Sequence, residues 1–257
     1  MSYRTRNRPL PPRRTMQAVL RLLTSHFVLR SKDVAALVRK RPPTPNDIRT
    51  INRSLKLLAE RGLVRRKKYL DLSNDGVGYA CGLTDRGVAE YGGKTFDEHS
   101  ERTLDHELEI SRFHIAIQEL CDRHGLQLSW RQSDLKHGVD PDAYFFITDP
   151  KRDGKNTNHF FLEFERAKLG NMKDGKYSIT RKLEHYYRYY NSSECEERWG
   201  FKTYRVVLVM RTTDRRDNLV SAMQSGLNHR MFWVGTKHSL VGDFHTPKGD
   251  RFSFLDL

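Results

Sequence analysis

Two glutamates stand out by type and spacing. Glu163 and Glu165 lie two residues apart in His159-Phe-Phe-Leu-Glu-Phe-Glu165, a run of strong strand formers. Side chains alternate along a strand, so both carboxylates belong on one face. Acids on one face of an apolar strand are costly unless something neutralises them. A divalent cation is one solution, because Mg²⁺ or Mn²⁺ prefers carboxylate oxygens with water and phosphate. Such an ion polarises a phosphodiester and lowers the pKa of an attacking water. A third acid, Asp142, follows Pro141 at the head of the preceding strand segment. The competing reading makes Glu163 and Glu165 partners of Arg166 or Arg181 in a buried ion pair, and Asp142 a turn cap.

Other chemistries find less support. Tyr186, Tyr187, Tyr189 and Tyr190 crowd one segment, which invites a tyrosine nucleophile. A metal cluster of His-x-His type is missing, the histidines being scattered. Leu183, Tyr186, Tyr187 and Tyr190 fit a helical stripe, so core packing is the simpler expectation. Tyr189 or Tyr190 remains a candidate for stacking on an unpaired base or for nucleophilic attack. His106 and His114, eight apart, lack ligand spacing. Gly170 and Gly175 form no phosphate-cradling loop, which excludes nucleotide hydrolysis of the P-loop kind. Cys81, Cys121 and Cys195 are far apart and odd in number, which argues against a disulfide scaffold or zinc ribbon and for a cytoplasmic setting.

The elements that must position these acids alternate helix and strand. Apolar periodicity predicts a helix from Leu104 to His124, then strands at Leu126–Arg131, Asp142–Thr148 and His159–Glu165. A polar turn, Asp153–Asn158, joins the last two. A helix over Ser178–Asn191, a buried strand Tyr204–Met210, a helix Asp214–Leu227 and a strand Met231–Val234 complete a mixed sheet with helices on its faces.

The first part of the chain reads differently. Residues 1–15 form a basic, Pro/Arg-rich leader of expected flexibility, not a signal peptide. Met16–Thr24 has helical spacing, Ser31 is placed to cap Lys32–Lys40, and Thr44-Pro45 starts a third helix that Gly62 closes. A basic strand Leu63–Asp71, a Gly-rich turn Ser73–Gly78 and a returning strand Tyr79–Leu83 make a wing, followed by a helix Thr84–Tyr91. This is a winged helix-turn-helix over 16–93, with a polar linker at 94–104 and a second domain at 105–257.

Charge agrees with that division. The net charge is +14, yet residues 1–93 carry 20 Lys+Arg against 7 Asp+Glu, and the other 164 carry 26 against 25. A basic excess confined to one domain points to a polyanion, since each neutralised phosphate releases counterions. The third helix turns Asn46, Arg49, Thr50, Arg53 and Lys56 outward, and the wing adds Arg65, Arg66, Lys67 and Lys68. These are the candidate contacts to double-stranded DNA. A protein-interaction or dimer module is the alternative use of such a domain. No apolar stretch approaches the length of a membrane span.

The segment Leu57-Leu-Ala-Glu-Arg-Gly-Leu-Val-Arg-Arg66 with Tyr79-Ala-Cys-Gly-Leu-Thr-Asp-Arg-Gly87 resembles winged-helix domains. Pro141-Asp142 on one strand and Glu163-Phe-Glu165 on the next resemble the PD-(D/E)xK, or restriction-endonuclease-like, nucleases. Glu165 stands where that superfamily has lysine. Some members supply the lysine from the following helix, where this chain has Lys182; its structural reading is a solvated helix residue. An acid on the leading helix is also common, which offers Glu107. The whole pattern also carries His106-Glu-Leu108, Trp130, Pro141-Asp-Ala143, Phe161-Leu-Glu-Phe-Glu-Arg166, Lys182, Tyr186 and Tyr189 or Tyr190. It is similar to the plasmid replication-relaxation family and to MobC-type relaxases. That resemblance implies a metal-dependent nickase acting at an origin of transfer or replication, on DNA locally single-stranded in places. Asp142, Glu163 and Glu165, with Glu107, would hold Mg²⁺ or Mn²⁺, and Lys182 would stabilise charge. Relaxosome or coupling proteins are the implied partners, and a dimer is compatible. The alternative is a non-catalytic DNA-binding accessory or replication regulator on a decayed nuclease fold.

Overall fold

The computed structural model describes residues 14–71, 76–96, 101–132, 138–152, 157–165, 179–239 and 241–256. Most of the basic leader, the wing-turn residues 72–75, the turn residues 153–156, Arg166, Gly170 and Gly175 lie outside the described residues. The chain divides into two compact units, Met1–Asp97 and Glu98–Leu257.

In the first unit, α1 (Arg14–Ser25), β1 (Leu29–Arg30), α2 (Ser31–Arg39), α3 (Pro45–Glu60), β2 (Val64–Asp71), β3 (Gly76–Leu83) and α4 (Asp85–Tyr91) follow in order. The sheet order is β1-β3-β2, with β2 and β3 an antiparallel hairpin. The unit is thus a helix, a strand, two helices and a hairpin closed by a short helix. Leu20, Leu23, Val34, Ile51, Leu55, Leu58 and Leu83 fill its core. Thr44 and Asp47 cap α3 reciprocally: Thr44 Oγ1 accepts from the Asp47 amide at 3.3 Å, and Asp47 Oδ2 accepts from the Thr44 amide at 3.0 Å. The Thr44 hydroxyl also donates to Asp47 Oδ2 at 2.7 Å, and this bond, the Thr44 amide and Arg41 lower the Asp47 carboxyl to about 2. Gly62 takes φ +70 after α3, a conformation that favours glycine. The expected Ser31 cap shifts by one residue. Arg30 is the N-cap of α2, and its guanidinium grips Asp33 at 2.6 and 2.7 Å.

The second unit contains α5 (Glu101–His124), β4 (Gln127–Arg131), β5 (Ala143–Thr148), β6 (Thr157–Phe164), α6 (Ile179–Tyr190), α7 (Glu194–Trp199), β7 (Arg205–Met210), α8 (Thr213–Met223), β8 (Phe232–Thr236), β9 (Phe244–His245) and β10 (Arg251–Phe252). It is a mixed α/β unit with a seven-stranded sheet, ordered β10-β9-β8-β7-β6-β5-β4. β4, β5 and β6 are antiparallel neighbours, and β6, β7 and β8 run parallel. Both faces are covered, which is why the central strands read as nearly unbroken apolar runs. On one side Phe113 and Ile117 of α5 meet Phe145, Phe160, Leu162 and Val207. On the other, Leu183 and Tyr186 of α6 and Leu219 of α8 meet Phe161, Val206 and Leu208. α5 begins at Glu101, inside the stretch expected as linker.

Candidate active site

The hairpin register builds the centre of the site. Ala143 pairs with Leu162 across β5 and β6, which sets Asp142 opposite Glu163. The Asp142 amide continues the ladder to the Leu162 carbonyl at 3.0 Å. Alternation sends Phe160, Leu162 and Phe164 to the α5 side and Phe161 to the α6 side. Glu163 therefore enters the α6 layer, at a position whose neighbours are core residues, and is only 6% exposed.

α6 answers this acid with two donors one turn apart. Lys182 Nζ lies 2.5 Å from Glu163 Oε2, and the Tyr186 hydroxyl donates to Glu163 Oε1 at 2.6 Å. Residues four apart on a helix share a face, which is why one helix reaches both oxygens. Burial pushes the Glu163 carboxyl up to about 8, and the like charge of Asp142 adds to the rise; Lys182 and Tyr186 pull against it. Burial and the neighbouring Glu163 raise the Tyr186 hydroxyl well above its ordinary value. Asp142 is held from both sides. The Phe164 amide donates to Oδ2 at 2.7 Å, and His106 Nε2 of α5 lies 3.2 Å from Oδ1.

The expected third carboxylate is elsewhere. Glu165 does reach the helix layer that Glu163 faces, but Arg215 of α8 forms a buried ion pair with its Oε1. The Arg211 amide donates to Oε2 at 3.2 Å. Arg215 and Glu165 side chains are 10% and 5% exposed. Both glutamate oxygens are thus engaged by the β7–α8 junction, and Glu165 is not a member of the Asp142–Glu163 cluster. Glu107 accepts from Gln132 Nε2 at 2.6 Å, and α5 meets Asp142 through His106 instead. Among the described residues, no three His, Cys, Asp or Glu side chains are grouped to hold a metal ion.

All four oxygens of the Asp142–Glu163 pair have a protein partner: His106 and the Phe164 amide at Asp142, Lys182 and Tyr186 at Glu163. Asp142 and Glu163 occupy opposed register positions on β5 and β6, and Lys182 is the cation beside Glu163. Mg²⁺ commonly uses one or two carboxylates and completes its shell with water and phosphate. Lys182 keeps its side chain 43% exposed, while those of Glu163 and Asp142 are 7% and 5% exposed.

The tyrosines divide by burial. Tyr189 is 4% exposed, packed against Gly138 and Tyr204, which removes the open ring face that base stacking needs. Burial pushes its hydroxyl up to about 12, unfavourable for a nucleophile. Tyr190 is half-buried between Tyr204 and His229. Sequence reasoning missed His106 and the part played by Tyr186. Their signals were the His-Glu-Leu start of the leading helix and the Lys-x-x-x-Tyr spacing.

In the first unit, Asn46, Arg49, Arg53 and Lys56 are exposed along α3, and Thr50 is half-buried. Arg65 and Lys68 are exposed on β2, while Arg66 and Lys67 are half-buried. The Arg66 guanidinium lies over the Tyr79 ring, 4.3 Å from its centroid. All three cysteines are free and buried. No helix among the described residues is long and apolar enough to cross a membrane.

A family profile described as replication-relaxation matches residues 20–204, well over half of the chain. Among solved structures, the restriction endonuclease FokI bound to DNA is similar at 10% identity and a TM-score of 0.28, covering 90% of this chain and 68% of that chain. No curated protein matches.

Proposed function

The chain belongs to the replication-relaxation family, and from its site we propose that it is a site-specific, metal-dependent DNA nickase of relaxase type, acting in mobilisation of a plasmid or integrative element. The observation that carries this reading is the cluster of Asp142, Glu163 and Lys182, drawn from β5, β6 and α6. Asp142 and Glu163 would hold Mg²⁺ or Mn²⁺, which when bound polarises a phosphodiester and makes water a competent nucleophile. Lys182 swings from Glu163 to the phosphate oxygens and offsets the charge that develops there. His106 and the Phe164 amide fix the Asp142 carboxylate, so its orientation does not depend on substrate. Water is the nucleophile in this reading, since Tyr186 is committed to Glu163 and Tyr189 is buried.

The first unit supplies the address. Its exposed α3 face and basic hairpin fit the major groove and flanking phosphates of an origin duplex, with Asn46, Arg49, Thr50, Arg53 and Lys56 nearest the bases and Arg65, Arg66, Lys67 and Lys68 on the backbone. Relaxosome or coupling proteins would assemble around that complex, in the cytoplasm.

The ion pair of Glu165 with Arg215 favours a second reading. A position that holds lysine in active restriction-like nucleases is here a structural tether. A DNA-binding accessory on a decayed nuclease fold would tolerate that change. The test is incubation with supercoiled DNA carrying the element's own origin, in Mn²⁺ or EDTA, beside Glu163→Ala. Metal-dependent nicked circles that vanish in the variant support the nickase. Tight, salt-sensitive binding without nicking in any metal leaves the accessory.

A further inference from the structure

The junction between α2 and α3 carries three cations in a row, Arg39, Lys40 and Arg41, outside the candidate contacts on α3 and β2. One carboxylate gathers the two arginines. Arg39 Nε lies 2.9 Å from Asp47 Oδ1, and Arg41 Nη2 lies 3.0 Å from Oδ2. The Asp47 side chain is 9% exposed, whereas those of Arg39 and Arg41 are 38% and 51% exposed. A buried anion thus anchors two exposed guanidinium groups, each with N–H donors to spare. Arg41 also donates to the Pro42 carbonyl at 3.1 Å, in a turn stiffened by Pro42, Pro43 and Pro45. Between the arginines, Lys40 ends α2 at φ +52, the only non-glycine residue with a positive φ among the described residues. Glycine takes such a position without steric cost. Lysine there is strained and sets a third positive charge beside two others. Its side chain is exposed and has no ion-pair partner among the described residues. Strain of this sort persists where function uses the side chain.

We infer that Arg39, Lys40 and Arg41 form a clamp for DNA phosphates, with Asp47 as the positioning residue that aims the two arginines. This rests on the DNA-binding reading of the first unit and does not involve the cutting site. When the N-terminal residues of α3 meet base edges, α2 crosses the backbone, so the turn that joins them lies at the phosphates. A guanidinium held in place matches two phosphate oxygens at once, and a lysine adds a point charge. Without a polyanion the three cations repel one another, and Asp47 offsets only one of them.

The test is a fluorescence-anisotropy titration of the full chain with a labelled random-sequence duplex over a salt series, since phosphate contacts do not depend on sequence. Lys40→Gly should melt at or above the wild-type temperature by circular dichroism, because glycine fits the left-handed position. The same variant should lower the slope of log K against log salt by about 0.9, and Arg39→Gln with Arg41→Gln by about twice that. A purely structural lysine would leave the slope alone. Asp47→Asn keeps an acceptor for the Thr44 amide and makes the chain more positive. It should nevertheless weaken binding, and stronger binding would overturn the role of Asp47. Slopes of the Lys40 and arginine variants equal to wild type, beside a lowered slope in Arg65→Ala, overturn the clamp and leave the wing contacts standing. Wild-type binding that does not depend on salt overturns the DNA reading of the first unit, and the clamp with it.

Discussion

Replacing Arg215 by methionine isolates the role assigned to Glu165. The substitution removes the cation from a pair buried on both sides. It leaves the Glu165 carboxylate in the β7–α8 junction with the Arg211 amide still donating to Oε2. Solvent screening makes exposed pairs weak, but these side chains are 10% and 5% exposed, so that discount does not apply. Breaking a buried pair from one side costs about 3–5 kcal/mol, whereas replacing both partners by apolar groups is close to neutral. A unit of this size loses roughly 2–4 °C of Tm per kcal/mol, so the single variant should melt on the order of 6–20 °C lower. Trp130, Trp199 and Trp233 all lie in the second unit, so tryptophan fluorescence follows its unfolding without signal from the first. The double variant Glu165→Met/Arg215→Met should recover most of the loss. A single variant that melts with wild type, or a double variant no better than the single, would refute the tether.

Three further outcomes follow from the same geometry. The Glu163 carboxyl is raised from an ordinary 4.5 to about 8, so between these values the folded chain binds more protons than the unfolded one. Its stabilisation is therefore complete below pH 4.5 and lost by about pH 8, with a slope of at most about 1.4 kcal/mol per pH unit; fluorescence melts of the metal-free protein should show a flatter pH dependence in Glu163→Gln. Arg65→Ala and Lys68→Ala should each lower the slope of log K against log salt by about 0.9 in a fluorescence-anisotropy titration with duplex DNA, with equal weakening across sequences. Gly87→Ala would drive a methyl group into the Leu63 carbonyl and the Leu83 side chain, so it should destabilise the first unit by about 1–3 kcal/mol, read by circular dichroism in urea.

Much of this arrangement was visible in the residues because its causes are local. Thr44-Pro45 starts α3, and Gly62 follows it in the left-handed conformation, since capping depends on neighbours three or four positions away. The apolar runs of β6 and β7 announced strands buried on both faces. Lys182 lies against Glu163 from the helix that follows the acidic strand. What stayed hidden depends on register and distant partners. Parity put Glu163 and Glu165 on one face, but only the helix packing divides them between Lys182 and Arg215. Arg215 is fifty positions from Glu165 and sits in the ordinary charged helix start Thr213-Asp-Arg-Arg216. His106 carried no pairing signal until α5 crossed the end of β5. β1, β9 and β10 are two residues long and α7 six, too short for a period to emerge.

The most direct test of the site measures binding and cutting on the same DNA for wild type and Lys182→Met. The lysine is removed from Glu163 without touching the first unit. Loss of an electrostatic stabiliser of this kind costs on the order of 10²–10³ in rate. Affinity for the origin duplex should stay close to wild type, while single-turnover nicking in Mn²⁺ falls by roughly that factor. Nicking by Lys182→Met at the wild-type rate, with binding unchanged, would contradict the assignment of Asp142, Glu163 and Lys182 as the cutting site.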